Sequence, residues 1–231
     1  KRIAFYALFF ANATAIGNFI RLGRPHELLS WVLFIILFFS LYYYKDKTID
    51  NKFYFLSIVT ALIIITYQSV GVLAGILWLG FLLTRNNFKE WIKTIILGIA
   101  TLILSSFWLF SFIAGIFSQS SIPELKQGEW IWNFGFNNLA TNILVFIIPL
   151  SFIIMFYFYY KYNKINRKEL LFFIPAFIFA VLFFLRITPL VPIFDQIYPD
   201  PIVHFILFFS IFIFLKLDLI ELKNDKINAS S

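Results

Sequence analysis

The chain has no cysteine, which removes disulfides and thiolate metal chemistry. Charge is scarce as well. Only 13% of the 231 residues are charged, about half the share of an ordinary soluble domain. The motif inventory is equally bare. No Walker A loop, dinucleotide fingerprint or His-Glu-x-x-His pair is present, so nucleotide and zinc-protease chemistry lack their usual residues. No Gly-x-Ser-x-Gly elbow supports a serine hydrolase. No internal repeat is clear enough to argue an inverted-repeat transporter.

What is present is apolar: 61% of the residues. They gather in seven runs, Ile3–Ile20, Leu28–Tyr44, Phe53–Leu83, Thr94–Phe117, Leu139–Tyr160, Leu170–Leu185 and Ile202–Leu215. A bilayer core of about 30 Å takes roughly 20 helical residues, and shorter spans are tolerated where the bilayer thins or flanking side chains snorkel. The series predicts an all-α, polytopic transmembrane helix bundle, a single transmembrane domain over residues 1–231. The net charge of +7 would suggest nucleic acid in a soluble protein. Here the cations flank apolar runs and read as topology signals, so the expected partners are membrane lipids and not nucleic acid. The start, Lys1-Arg2 on an apolar run, has the look of a signal peptide. No small-x-small site ends that run, however, and Asn12 and Asn18 interrupt it. A membrane helix is expected instead, in what reads as the C-terminal part of a longer protein.

Charge orders the segments. Lys161, Lys164, Arg167 and Lys168 make the gap before Leu170 cytoplasmic. The run Phe53–Leu83 decides the rest. As one helix its 31 residues would measure about 46 Å, more than the bilayer core, and Tyr67-Gln68-Ser69-Val70-Gly71 forms a polar break within it. Two short helices joined near Gln68 bring the total to about eight helical segments. They leave 15 of the 19 Lys and Arg inside, with Arg21, Arg24, Lys126 and Arg186 outside; a single span would lower the inside count to 12. The positive-inside rule favours the hairpin, with this chain's N-terminus and its C-terminus both cytoplasmic. Tyr42, Tyr43, Tyr44, Tyr157, Tyr159, Tyr160, Tyr162, Trp91, Trp31 and Tyr198 are expected in interfacial belts. The inner lysines are expected to serve topology and solubility.

The sparse outer set is the place to look for a site. Arg21-Leu22-Gly23-Arg24-Pro25-His26-Glu27 places a turn at Gly23, proline in the first turn of the next helix and Glu27 near its positive end. Arg21 and Arg24 could hold a phosphate bidentately. The second cluster is Arg186, Asp195, Asp200-Pro201 and His204. Arg186 at the edge of an apolar run is costly unless it snorkels or is paired, with Asp195 or an anionic ligand as the partner. Asp200 reads as an N-cap with Pro201 at the first helical position, and His204 follows one turn later. In the loop Ser118–Asn138, Glu129 to Phe136 carries an aromatic at every second position, a face for stacking sugars or for lying in the interface. Headgroup contact and ordinary capping remain the bland alternative for the arginine clusters.

Three of these features together resemble the C-terminal membrane region of the type C glycosyltransferases, in particular their archaeal and bacterial members. They are Gly23-Arg24-Pro25-His26-Glu27 opening a helix, the break Thr66-Tyr67-Gln68-Ser69-Val70-Gly71, and Asp200-Pro201-Ile202-Val203-His204-Phe205 entering the last helix. The resemblance implies a polyprenyl-phosphate-linked sugar donor. It places Arg186, Arg24 and Arg21 on the donor phosphate, supported by His204, His26, Glu27, Asp195 and Asp200. His204 stands where relatives carry arginine and Gln68 where they carry histidine. The family's catalytic acid, in its first external loop, has no counterpart here, so the resemblance puts the base outside this chain. Any divalent metal would also need ligands from outside it. A lipid or solute transporter and a non-catalytic membrane subunit stay open as alternatives.

Overall fold

The computed structural model describes residues 2–12, 15, 19, 23–118, 139–162, 165–188 and 199–228. Among these it is all-helical, without a strand. Eight α-helices follow in order: α1 (Arg2–Phe10), α2 (Pro25–Tyr44), α3 (Phe55–Thr66), α4 (Gln68–Leu83), α5 (Phe88–Ser118), α6 (Leu139–Tyr162), α7 (Arg167–Phe184) and α8 (Pro199–Asn228). A 3-10 turn, Asn51–Tyr54, leads into α3. Three stretches are long and apolar enough to cross a membrane, Pro25–Tyr44, Phe88–Ser111 and Asp200–Leu217. The helices Asn51–Thr66, Gln68–Leu83 and Phe146–Tyr162 are apolar but shorter.

The expected break in the 31-residue run is present. Tyr67 is extended (φ −157°, ψ 106°) and separates α3 from α4. The two helices fold back antiparallel. Near the base Phe53 stacks on Phe81 at 5.0 Å. In the middle Trp78 Nε1 donates to Thr60 Oγ1 at 3.0 Å. Near the apex Gly71 abuts Ile64 so closely that a Cβ would lie 2.9 Å from its side chain. The hairpin runs the length of α2, from Tyr44, whose ring meets Phe53 at 4.9 Å, to His26, whose ring meets Tyr67 at 5.5 Å. Those contacts define a Tyr44 end and a Tyr67 end of the bundle.

The first apolar run departs from expectation. Helix α1 stops at Phe10, because Asn12 bends back on it: its Nδ2 donates to Phe9 O at 2.6 Å and its Oδ1 accepts from Ala15 N at 2.9 Å. A side chain that satisfies the end of one turn and the start of the next competes with a continuous helix. Helix α8 starts at Pro199, so Asp200 lies inside the first turn and Pro201 is its third residue, not its first.

The core is aromatic. On α8, Phe205, Phe208, Phe209 and Phe212 recur at helical spacing and share one face. Trp31, Phe34, Phe38 and Leu41 form the matching stripe on α2, all fully buried. Phe38 meets Phe208 at 4.7 Å and Phe212 at 4.9 Å, both edge-on, the geometry that ring quadrupoles favour. Between α4 and α7 the backbones nearly touch, since a Cβ on Gly80 would lie 2.3 Å from Phe172 O.

Several polar groups expected to face headgroups are interior instead. Trp31 and Tyr159 are both fully buried. At the Tyr44 end, Glu169 Oε1 accepts from Tyr42 Oη, from Tyr159 Oη at 2.8 Å and from Lys216 Nζ at 2.5 Å. This knot joins α2, α6, α7 and α8. Phenol hydroxyls and an ammonium there find a carboxylate, which is what permits their burial. Arg85, also counted among the topology cations, is buried. It donates through Nη1 to Lys47 O at 2.7 Å and through Nη2 to Tyr44 O at 2.9 Å and to Lys45 O, so it collects carbonyls at the C-terminal end of α2. A cation there meets both the orphan carbonyls and the negative helix pole.

Candidate functional site

The Tyr67 end gathers residues that lie far apart in sequence. Gly23 takes a left-handed backbone (φ 61°), the turn that a glycine makes without strain. Pro25 then opens α2, where a missing N–H is harmless. Glu27 falls in the first turn and is fully buried. Its Oε2 lies 3.7 Å from Arg24 Nη1, and its Oε1 accepts from Trp31 Nε1 at 3.5 Å, one turn along. His26 on the same turn is exposed and packs toward Tyr67 at the hairpin apex. Ser30 Oγ donates to Ile63 O at 3.4 Å, one of the carbonyls at the interrupted end of α3.

Helix α8 supplies the other wall. His204 is fully buried and lies among Phe19, Trp31 and Phe9, with ring centroids at 5.5, 5.9 and 6.1 Å. Its Nδ1 is 3.1 Å from Asp200 O. The Arg24 charge acts on both Glu27 and Asp200, and the Asp200 carboxylate acts in turn on Glu27. Arg24, His26, Glu27, Asp200 and His204, all named from the sequence, thus share one end of the molecule around Trp31 and Tyr67.

Arg186 is placed differently. It ends α7 in a left-handed conformation (φ 61°). Its N–H donates to Phe183 O at 3.0 Å and that of Ile187 to Leu182 O at 2.8 Å, the double bond of a Schellman cap, where glycine is the usual residue. Its guanidinium lies over the Phe146 ring at 4.7 Å. Among the described contacts none joins it to Arg24, Glu27 or His204. Arg21, Asp195 and the loop residues 119–138 lie outside the described residues.

The described residues include no group of three or more His, Asp or Glu side chains placed to hold a metal ion. A cavity of about 510 Å³ opens at the other end of the bundle, lined by Tyr43, Tyr44, Lys47, Thr48, Asp50 and Lys52. There the Tyr44 hydroxyl, donating to Asp50 at 2.8 Å, holds that carboxyl below its ordinary pKa.

Sequence reasoning missed Trp31 as a donor to Glu27, although the i, i+4 spacing was there to be read. It also missed the Glu169–Lys216–Tyr42–Tyr159 knot, whose partners lie up to 174 residues apart. No family model, curated protein or solved structure matches this chain.

Proposed function

We propose that the chain is the membrane-embedded part of a glycosyltransferase that uses a polyprenyl-phosphate-linked sugar, a polytopic bundle whose site is the Tyr67 end, on the extracytoplasmic face. The observation that carries this is the gathering of Arg24, His26, Glu27, Asp200 and His204 at the hairpin apex, at the end opposite the lysine-rich Lys45–Lys52 segment. Charge sorting supports that orientation. Arg24 and Arg186 supply preorganised positive charge for the departing lipid phosphate, the main source of stabilisation for such a leaving group. Arg186 adds a second support. A non-glycine residue in a left-handed cap costs about 1–2 kcal/mol, and strain of that kind marks positions kept for a purpose.

The test is sugar transfer by full-length protein carrying Arg24→Ala or Arg186→Ala. Loss of turnover with normal membrane insertion is the expected result. Wild-type turnover in both variants would remove the phosphate role and with it this assignment.

A second reading, a non-catalytic membrane subunit, has one specific support. Helix α5 leaves Ile95, Ile99, Leu102, Ile103, Phe107 and Phe110 exposed, a broad apolar face that lipid or a partner helix would cover. A stable partner on co-purification, with no polyprenyl phosphate in mass spectra of the gently purified protein, would favour it.

A further inference from the structure

We infer that Glu27 and His204 form a hydroxyl-binding subsite, with His204 Nε2 as a hydrogen-bond acceptor; the chemistry rests on the transfer function proposed above, the binding does not. Asp200 O can only accept, so the His204 Nδ1 at 3.1 Å carries the ring hydrogen. The other nitrogen of the neutral ring, Nε2, therefore presents a lone pair. It is buried and has no hydrogen-bond partner. Glu27 Oε2 is in the same condition, with the Arg24 guanidinium at 3.7 Å beyond hydrogen-bond range. Both side chains are fully buried, and both contact Trp31.

Nε2 and Oε2 are acceptors, and the Arg24 Nη1 that lies 3.7 Å from Oε2 is a donor. Buried acceptors are costly to leave unmet, so the ligand that completes them brings donors. A phosphate would pair with Arg24 but set more acceptors against Nε2 and Oε2. An ammonium would meet the Arg24 charge. A neutral polyol satisfies both, one hydroxyl to each acceptor, so the ligand class is a glycosyl hydroxyl.

In sugar transfer this is the acceptor side of the reaction. The acceptor O–H held at Nε2 gives its proton to the base, which the resemblance puts outside this chain, as its oxygen bonds to the sugar C1. The bond from C1 to the phosphate oxygen breaks, and its electron pair leaves on the lipid phosphate. The Asp200 carbonyl orients the ring throughout.

The test is ¹⁵N NMR of histidine-labelled full-length protein in phosphatidylcholine nanodiscs. The His204 signals are assigned by their loss in His204→Gln, or by difference in His26→Gln should the former fail to fold. Octyl glucoside is titrated as the hydroxyl probe and decylphosphocholine, which has no hydroxyl, as the control. The expected result is an Nδ1–H tautomer whose bare Nε2 shifts upfield with octyl glucoside alone, and a weaker response in Glu27→Gln. No shift with either amphiphile, the same shift with both, or an Nε2 already hydrogen-bonded by water before either is added would each overturn the subsite. If the shift occurs but Arg24→Ala and Arg186→Ala leave sugar transfer intact, the subsite stands and the transferase assignment falls.

Discussion

Replacing Gly80 by alanine probes the α4–α7 contact, which ties the hairpin to the helix that ends in Arg186. The new Cβ would lie 2.3 Å from Phe172 O and 3.2 Å from Phe172 C, against the 3.4–4 Å of ordinary contact. The obstacle is backbone and cannot rotate aside, so the helices must part by about 1 Å. Overpacking of this kind costs typically 1–3 kcal/mol, and a backbone clash belongs at the upper end. Alanine returns about 1 kcal/mol of helix propensity. The net loss is then about 2 kcal/mol, or a fall in Tm of roughly 4–8 °C for a chain of this size. Gly98 on α5 is the control. Nothing lies within 4 Å of its added Cβ, so Gly98→Ala keeps the propensity gain and raises Tm. Thermal unfolding in detergent micelles, followed by circular dichroism, reads both. Equal shifts for the two variants would refute the close approach of α4 to α7.

Lys216→Met strands Glu169 with only its tyrosine partners. The paired side chains are 27% and 15% exposed, so the loss should be about 1–3 kcal/mol, below that of a wholly buried pair. Adding Glu169→Gln should recover part of it in a double-mutant cycle. Arg186→Gly relieves the left-handed strain and should raise stability by about 1 kcal/mol while sugar transfer is lost; retained transfer would leave Arg186 a cap and nothing more. Asp50 titrates below its ordinary value because Tyr44 Oη and Phe53 N donate to it. Its contribution is therefore complete above the unfolded carboxylate pKa and lost as pH falls through the lower folded one. In Asp50→Asn, amide exchange at the Asn51–Tyr54 turn should lose its acid dependence.

The helical class and the hairpin could be read from the sequence because each rests on local pattern. The run Phe53–Leu83 is too long for one crossing, and Tyr67 to Gly71 offers a place to break. The gathering of Arg24, Glu27, Asp200 and His204 was readable only as two clusters on one face; that Glu27 and His204 meet Trp31 depends on how α2 and α8 pack. The tyrosines misled for a physical reason. Tyr42 and Tyr159 have the composition and position of an interfacial belt, and only the arrival of Glu169 and Lys216 from other helices buries Tyr159 and half-buries Tyr42. Arg85 is similar, since besides Thr84 and Glu90 it donates to the carbonyls of Tyr44, Lys45 and Lys47, which no sequence pattern displays. The absence of a catalytic motif was likewise a statement about local spacing. His204 and Glu27 are 177 positions apart in the chain, too far for any motif to join them.

The knot at Glu169 also sets an order of events. Tyr42, Tyr159 and Glu169 are all synthesised before Lys216, which arrives last, on α8. Until then the carboxylate in that knot lacks its ammonium. The same late helix carries His204 to Trp31 at the opposite end. Insertion of α8 therefore completes the charge balance of one end and the polar cluster of the other in a single step, and a chain stopped short of α8 would lack both.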